Sequence, residues 1–199
     1  MVETESHLRA MLRLARTAGI GPAQLERLMA RHGSATAAVE ALEDLGPGTV
    51  RLADPRQIAA EIEATLAAGA RFVARGDPDY PAALAAAEQA PWVLTVKGDP
   101  ALLAGRLVGV VGARNASAGG RKLAREIAAD LAGEGVGVVS GLARGIDTAA
   151  HAGAITRGVT IAVTATGIDV VYPAENAELP QAIAESGVIV TERPFVPKP

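Results

Sequence analysis

Two consecutive stretches decide the fold: LVGVVGARNASAGG at residues 107–120 and VGVVSGLARGID at residues 136–147. Each begins with a short apolar run, predicted as a strand over residues 107–111 and 136–139. Each then passes through a glycine-rich loop into residues whose apolar positions have helical spacing. Further apolar runs follow at residues 160–164 and 188–191. Short strands that alternate with helices predict a parallel sheet with right-handed crossovers, which is a Rossmann-like α/β fold. The expected helices of this sheet cover residues 119–134, 147–157 and 177–185.

The chain ahead of this sheet is predicted to be helical. Apolar positions recur at helical spacing between residues 6 and 45, interrupted by the turn GIGP at residues 19–22. Such a turn resembles a helix-hairpin-helix element, in which backbone N–H groups at a helix N-terminus meet a DNA phosphate. In the other interpretation, its glycines only let two helices pack closely. Another helix is predicted over residues 54–68, with Glu61 and Glu63 on an exposed face.

Two short strands are predicted between the helical unit and the parallel sheet. Apolar runs at residues 71–74 and 92–96 flank a segment rich in Asp and Pro, whose chemistry is typical of turns. We therefore predict two domains. A small helical domain with a helix-hairpin-helix or SAM-like element covers residues 1–68, and a Rossmann-like domain covers residues 69–199.

Composition excludes several classes of function. The 199 residues contain no cysteine, which removes disulfides, thiolate metal sites and cysteine nucleophiles. His7, His32 and His151 are dispersed without the spacing of metal ligands, so no metal is expected. The N-terminus is acidic and polar, and no apolar stretch is long enough to span a bilayer. We therefore expect a cytoplasmic protein with no membrane role.

The loops after the first two parallel strands are the main candidate site, because ligands of such sheets bind beyond the carboxyl ends of the strands. In the first loop, small residues let an anion approach the backbone, and Arg114 can chelate a phosphate with two hydrogen bonds. In the second loop, two glycines bracket Arg144 just before a helix that Asp147 could cap. The candidate DNA-binding residues here are Gly112, Arg114, Asn115, Ser140, Gly141, Arg144 and Gly145. For the second loop the alternative is that its glycines only permit a tight turn.

A third loop, at residues 165–176, adds Asn176 to the candidate DNA-binding residues. Its side chain could bind a phosphate or cap the next helix, and Tyr172 could stack on a base. The net charge of −3 does not by itself indicate nucleic-acid binding. Between Gly112 and Lys122, however, there are three basic residues and no acid, which allows a local positive potential.

Enzymatic alternatives find less support in the same loops. The dinucleotide fingerprint is absent, and Ser140 ends the second strand where a ribose-binding acid would be expected, so no nicotinamide or other cofactor is predicted. His151 follows Asp147 by four residues, but no nucleophile is spaced to join them. A lone histidine is more often a hydrogen-bonded packing residue. We therefore predict no catalytic residue.

Taken in order, these motifs resemble the bacterial DNA-processing protein A (DprA/Smf) family. The string SGLARGID at residues 140–147 is highly specific, and His151 follows it. The other matching elements are DYP at 79–81 with Leu84, VVGAR at 110–114, YP at 172–173 with Asn176, Glu192 with Pro194, and GIGP at 19–22. Together they cover nearly the whole chain.

The resemblance implies a function and an extended Rossmann fold, with the strands near Phe72 and Val93 as the extension. It implies a cytoplasmic, non-enzymatic protein that binds incoming single-stranded DNA during natural transformation and helps load recombinase A onto it. Arg114 takes the place of the arginine in the family's Gly-Ser-Arg motif, although the middle residue is Ala113, which removes one hydroxyl donor. The position after Tyr-Pro, often basic in relatives, is Ala174 here.

Length is the main departure from the family. The chain ends where relatives enter the second half of the sheet, so we expect a truncated Rossmann fold that lacks the surface for homodimer and recombinase contacts.

Two other functions stay open. One is a Rossmann-like hydrolase of nucleoside monophosphates, which would need a carboxylate such as Asp147 or Glu192 beside the ribose. The other is a structural adaptor that holds a recombinase and touches DNA only incidentally.

Overall fold

The structure is a computed structural model that describes residues 2–46, 50–169 and 178–195. The helices are α1 (Val2–Ala15), α2 (Pro22–His32), α3 (Ala35–Asp44), α4 (Pro55–Ala67), α5 (Ala82–Ala85), α6 (Ala118–Gly133), α7 (Ile146–Ala154) and α8 (Glu178–Ser186). The strands are β1 (Arg71–Ala74), β2 (Val93–Gly98), β3 (Leu107–Gly109), β4 (Gly137–Ser140), β5 (Thr160–Val163) and β6 (Val188–Thr191), with a short 3₁₀ helix (Pro100–Ala104) between β2 and β3.

The strands form a six-stranded sheet in the order β1-β2-β6-β5-β4-β3. Strands β3 to β6 are parallel to one another, whereas β2 pairs antiparallel with β6 and β1 pairs antiparallel with β2. This confirms the predicted α/β fold, in which a helical unit precedes a parallel Rossmann-like sheet extended by two earlier strands. The predicted domain boundary after residue 68 lies between α4 and β1.

The two faces of the parallel strands are covered differently. Helices α6, α7 and α8 lie side by side on one face, over Val138 and Ala162. This arrangement follows from the strand order, because right-handed crossovers that advance in one direction place their helices on the same side. On the other face, α5 and the 3₁₀ helix cover part of the sheet through Leu84 and Leu103. Val163 on that face is 48% exposed.

The core of the helical domain continues into the sheet. Buried Leu12 and Leu25 belong to a cluster that includes Val93 and packs against Phe72 and Trp92. The buried apolar surface at this junction stabilises the packing of one domain on the other. Helix α3 was not predicted as a separate element, although Ser34 begins it as an N-cap residue whose hydroxyl accepts the N–H of Ala37.

The GIGP turn lies against the sheet domain. The indole Nε1 of Trp92 donates a hydrogen bond of 3.2 Å to the carbonyl oxygen of Pro22, and the Arg75 guanidinium stacks 5.0 Å above the indole ring. A Cβ added at Gly19 or Gly21 would meet no described atom within 4 Å, so close helix packing does not explain these glycines. Gly19 instead supplies a backbone φ of +86°, which other residues rarely adopt.

The prediction that Glu61 faces solvent is wrong. Its side chain is buried and forms an ion pair of 2.8 Å with Arg16 of α1. Arg16 also donates a hydrogen bond of 3.0 Å to the backbone carbonyl of Glu192. A buried carboxylate needs such a partner, because an unpaired charge is costly away from water. The pair therefore joins the helical domain to the end of β6.

Candidate nucleic-acid interface

The loops that follow β3 and β4 interlock, which means that their backbones pack directly against each other at the carboxyl edge of the sheet. A Cβ added at Gly145 would overlap the carbonyl oxygen of Ala113 and lie 2.6 Å from that of Arg114. A Cβ at Gly112 would lie 2.6 Å from Cγ1 of Ile146. Both loops therefore depend on glycine for their close approach, and Gly145 also has a φ of +87°. Besides any role in the turn, Gly145 therefore allows the second loop to lie directly against the backbone of the first loop.

Hydrogen bonds inside the protein hold the second loop in shape. The Ser140 hydroxyl is buried and donates to the carbonyl of Val110 at 2.7 Å, which ties the end of β4 to the first loop. On α7, Thr148 donates to the carbonyl of Ala143 at 2.7 Å. Ser140 was predicted as a direct phosphate contact, but its hydroxyl proton is donated to the carbonyl oxygen of Val110. The structure thus makes this hydroxyl part of the framework beneath the loops.

Asp147 was predicted to cap α7, and this is wrong. The N-cap residue of α7 is Gly145, which has no side chain to act as a cap. Asp147 lies within the first turn of the helix, where its buried Oδ2 accepts the N–H of Ala143 in the loop at 3.4 Å. The same oxygen would be 2.9 Å from a Cβ at Gly141. Gly141 therefore makes room for the carboxylate that braces the loop.

Above this framework three of the predicted phosphate-binding side chains are exposed. Arg114, Asn115 and Arg144 all lie at the surface. Among the described residues, no carboxylate lies within 4.0 Å of either arginine, whereas Arg71 and Arg157 of the same domain form ion pairs. The structure thus brings two guanidinium groups that have no ion-pair partner among the described residues to neighbouring loops. Guanidinium groups in such a position can bind phosphate oxygens through charge-assisted hydrogen bonds.

A helix N-terminus adds to the first loop. Ser117 is the N-cap of α6, and its hydroxyl accepts the N–H of Gly120 at 3.0 Å. Gly119 and Gly120 carry no side chains that would keep an anion from the backbone, and a helix N-terminus favours negative charge. Arg121, in the first turn, donates to the carbonyl of Ala116 at 2.6 Å. Its guanidinium is therefore held beside the first loop.

Asn176 and Tyr172, predicted in the third loop, lie outside the described residues. Within the described residues, helix α8 covers Glu178–Ser186. Binding of a phosphate by Asn176 and capping by the same residue both stay predictions.

His151 is the hydrogen-bonded packing residue that the sequence favoured. Its ring is fully buried, and Nδ1 lies 2.7 Å from Oγ1 of Thr160. Because the Thr160 hydroxyl donates to the carbonyl of Val138 at 3.0 Å, Nδ1 of His151 must be the donor to Thr160. Burial lowers the pKa of His151 to about 4, against the opposing effects of Asp147 and the backbone of Ser140. The imidazole is therefore neutral at physiological pH.

The basic surface reaches beyond the predicted residues. Arg125 lies one helical turn after Arg121 on α6, at a groove that α6 forms with α7. The sequence carries the signal for this surface in the i, i+4 spacing of Arg121 and Arg125 within a predicted helix. Within the part of the chain that the structure describes, no group of three or more His, Asp or Glu side chains is placed to hold a metal ion. None of the described helices is long and apolar enough to cross a bilayer.

Comparison with protein families gives two matches. The model of the family described as DNA recombination-mediator protein A matches residues 71–199. The model described as the DprA-like N-terminal HHH domain matches residues 5–64. Between them, the two models match nearly the whole chain.

Curated proteins with similar sequences carry the names DprA and Smf. DNA processing protein DprA of Bacillus subtilis is 37% identical over 147 residues, which is 73% of this chain and 48% of that protein. Protein Smf of Synechocystis is 40% identical over 134 residues, covering 65% of this chain and 34% of the relative. DprA of Streptococcus pneumoniae is 43% identical over 117 residues, covering 58% and 41%. The chain thus spans about half or less of the length of these relatives.

Solved structures with a similar fold include two of DNA processing protein A. The X-ray structure from Streptococcus pneumoniae has a TM-score of 0.74 and 26% identity, and the match covers 94% of this chain and 68% of that one. A structure from Helicobacter pylori, described in terms of its unique single-stranded DNA binding mode, has a TM-score of 0.56 and 28% identity. That match covers 62% of this chain and 55% of the other.

Proposed function

The chain belongs to the DNA recombination-mediator protein A family, and we propose that its two interlocked loops bind the phosphates of single-stranded DNA. The observation that carries the proposal is the pair Arg114 and Arg144. Both are exposed at the carboxyl edge of the parallel strands, and neither has a described carboxylate within 4.0 Å. The Helicobacter pylori relative, described as binding single-stranded DNA, supports this choice of ligand.

In this proposal some residues of the two loops bind phosphate, and others hold the loops in position. Arg114 and Arg144 donate to phosphate oxygens, and the backbone around Gly112 and Gly141 lets the strand come close. Asn115 adds a neutral donor. The residues beneath, Ser140 and Gly145 among them, hold the two loops at a constant separation. Binding through phosphates predicts little dependence on base sequence and an affinity that falls steeply with salt.

We further propose that the bound strand is protected and passed to recombinase A in the cytoplasm during natural transformation, with no chemical step. The family description as a recombination mediator supports this role. A homodimer is proposed through the second half of the sheet that relatives possess. This chain covers 48% of the Bacillus subtilis relative, so the homodimer and the recombinase contact are proposed for a protein of that relative's length.

The competing function, hydrolysis of nucleoside monophosphates, is not favoured. Its relatives would be enzymes, whereas the similar proteins found are DNA processing proteins. The carboxylate of Asp147 is buried against its own loop. A purely structural adaptor would tolerate loss of Arg114, and the following experiment distinguishes it from a DNA-binding protein.

We expect Arg114→Ala and Arg144→Ala each to weaken binding of single-stranded DNA by about 5- to 150-fold, which corresponds to about 1–3 kcal/mol for a lost charged hydrogen bond. The measurement is fluorescence anisotropy of a labelled oligothymidine, single-stranded against duplex, at several salt concentrations. Each lost phosphate contact should reduce the slope of log K against log salt by about 0.7.

The matched control is Arg106→Ala. Arg106 precedes the same strand, β3, and is exposed at the opposite edge of the sheet, where it contacts the carbonyl of Glu134. The Arg106→Ala variant should bind DNA with the affinity of the wild type. If Arg114→Ala also binds with unchanged affinity, this residue does not belong to the site and the adaptor function gains support.

A further inference from the structure

A groove between α6 and α7 leads away from the two loops and carries cationic side chains along one wall. It encloses about 460 Å³. Gly145 of the second loop is one of its lining residues, so the groove adjoins the site proposed above. Its lining consists of Arg121, Lys122 and Arg125 from α6 and Gly145, Thr148, Ala149 and Ala152 from the second loop and α7.

Close packing of the two helices gives this groove its shape. A Cβ added at Gly153 would overlap the backbone carbonyl oxygen of Arg125, so α6 and α7 touch at that point. Ala149 and Ala152 of α7 lie nearby and are small. The cationic side chains of α6 therefore lie beside a surface of small α7 residues, Ala149 and Ala152, which leaves the groove open.

The charges along the groove have one sign. Within the described ranges, neither Arg121 nor Arg125 has a carboxylate within 4.0 Å, and no acidic side chain lines the groove. Lys122 lies 3.8 Å from Glu126, but both side chains are more than half exposed, and exposed pairs of this kind are weak and screened by salt. Lys122 therefore stays available to an anion.

The spacing of these cations suits an extended polyanion. Arg121 and Arg125 are four residues apart on a helix, which separates their backbone positions by about 6 Å along the axis. Arg121 is held beside the first loop through its bond to Ala116. The three cations therefore continue the basic surface of the loops along α6 in one direction. Single charges in a row match successive phosphates of a flexible strand better than they match one compact anion.

We propose that this groove is a second phosphate-binding site, which takes the nucleotides that follow those bound at the loops. The inference rests on the function proposed above and extends it along the strand. Lys122 and Arg125 bind backbone phosphates there. Since the described lining from the second loop and α7 is glycine, threonine and alanine, with no aromatic side chain to stack on, the groove does not read bases.

The test compares two lengths of single-stranded DNA on the full chain. A short oligothymidine of about 6 nucleotides fills only the loops, whereas one of about 20 nucleotides also reaches the groove. The variant is Lys122→Ala/Arg125→Ala. Arg121 is left in place because its bond to Ala116 supports the first loop. We expect the double variant to bind the long oligonucleotide about 10-fold more weakly and with a salt slope smaller by about 1.4, while its affinity for the short one stays within about 2-fold.

The control is Arg106→Ala/Arg157→Ala, which removes the same number of charges from exposed positions at the opposite edge of the sheet. It separates a local contact from the general loss of positive charge. An unchanged affinity of the groove variant for the long oligonucleotide overturns the second site, and so does an equal loss for both lengths. The proposed function fails differently: the wild type does not bind the short oligonucleotide, or Arg114→Ala binds it normally.

Discussion

Gly145→Ala is expected to lower the free energy of unfolding by about 2–6 kcal/mol and to abolish DNA binding at the two loops. The residue has φ of +87° and ψ of −120°, a conformation that costs an L-residue about 1–3 kcal/mol. The added Cβ would also overlap the carbonyl oxygen of Ala113. Overpacking of this kind costs about 1–3 kcal/mol more. Because the obstructing atoms belong to the backbone, no side chain can rotate away to relieve the overlap.

The matched control is Gly119→Ala, four residues after Asn115 in the chain. A Cβ at Gly119 meets nothing within 4 Å, and the residue lies in the first turn of α6. Alanine there should be neutral or stabilise the protein by up to about 1 kcal/mol. Urea denaturation measures both variants, and anisotropy measures the affinity of Gly145→Ala for DNA. Gly119→Ala controls for stability alone, because Gly119 lies at the N-terminus of α6 beside the first loop of the candidate site. Equal unfolding midpoints for the two variants would show that the loops do not depend on the contact between Gly145 and Ala113.

The parallel strands could be predicted because their signal is local. Each is a short apolar run, and its ends in the structure differ from the predicted ends by at most two residues. The strand expected over 107–111 ends its ladder at Gly109, although the N–H of Val110 still donates to Val139. The carboxyl-edge rule then placed Arg114 and Arg144 on neighbouring loops without knowledge of any contact.

What the sequence could not predict are interactions between residues distant in the chain. Glu61 has the pattern of an exposed helix face, and only Arg16, 45 positions away, makes its burial possible. Ser140 has the residue type of a phosphate donor, but the carbonyl of Val110 takes its proton. Asp147 is a good N-cap residue by type, yet the conformation of Gly145 starts the helix two residues earlier. Residue type predicts a capacity for hydrogen bonding, and the fold decides the partner.

Acidification tests the framework beneath the site through His151. Burial lowers its pKa to about 4 in the folded protein, below the usual value near 6.5. Between these values the unfolded chain binds a proton that the folded protein does not, so stability falls as the pH decreases from about 6.5 to about 4. A difference of this size amounts to about 3 kcal/mol at pH 4. Above pH 6.5 the contribution is fully present and constant.

The measurement is urea denaturation of the wild type and His151→Gln between pH 7 and pH 4. The wild type should lose about 3 kcal/mol more than the variant over this range, because glutamine does not titrate. His7→Gln, on α1, controls for the loss of a histidine elsewhere and should follow the wild type. Parallel curves for the wild type and His151→Gln would mean that the imidazole is protonated inside the fold. Its Nδ1 bond to Thr160 would then not define the neutral tautomer that joins α7 to β4 and β5.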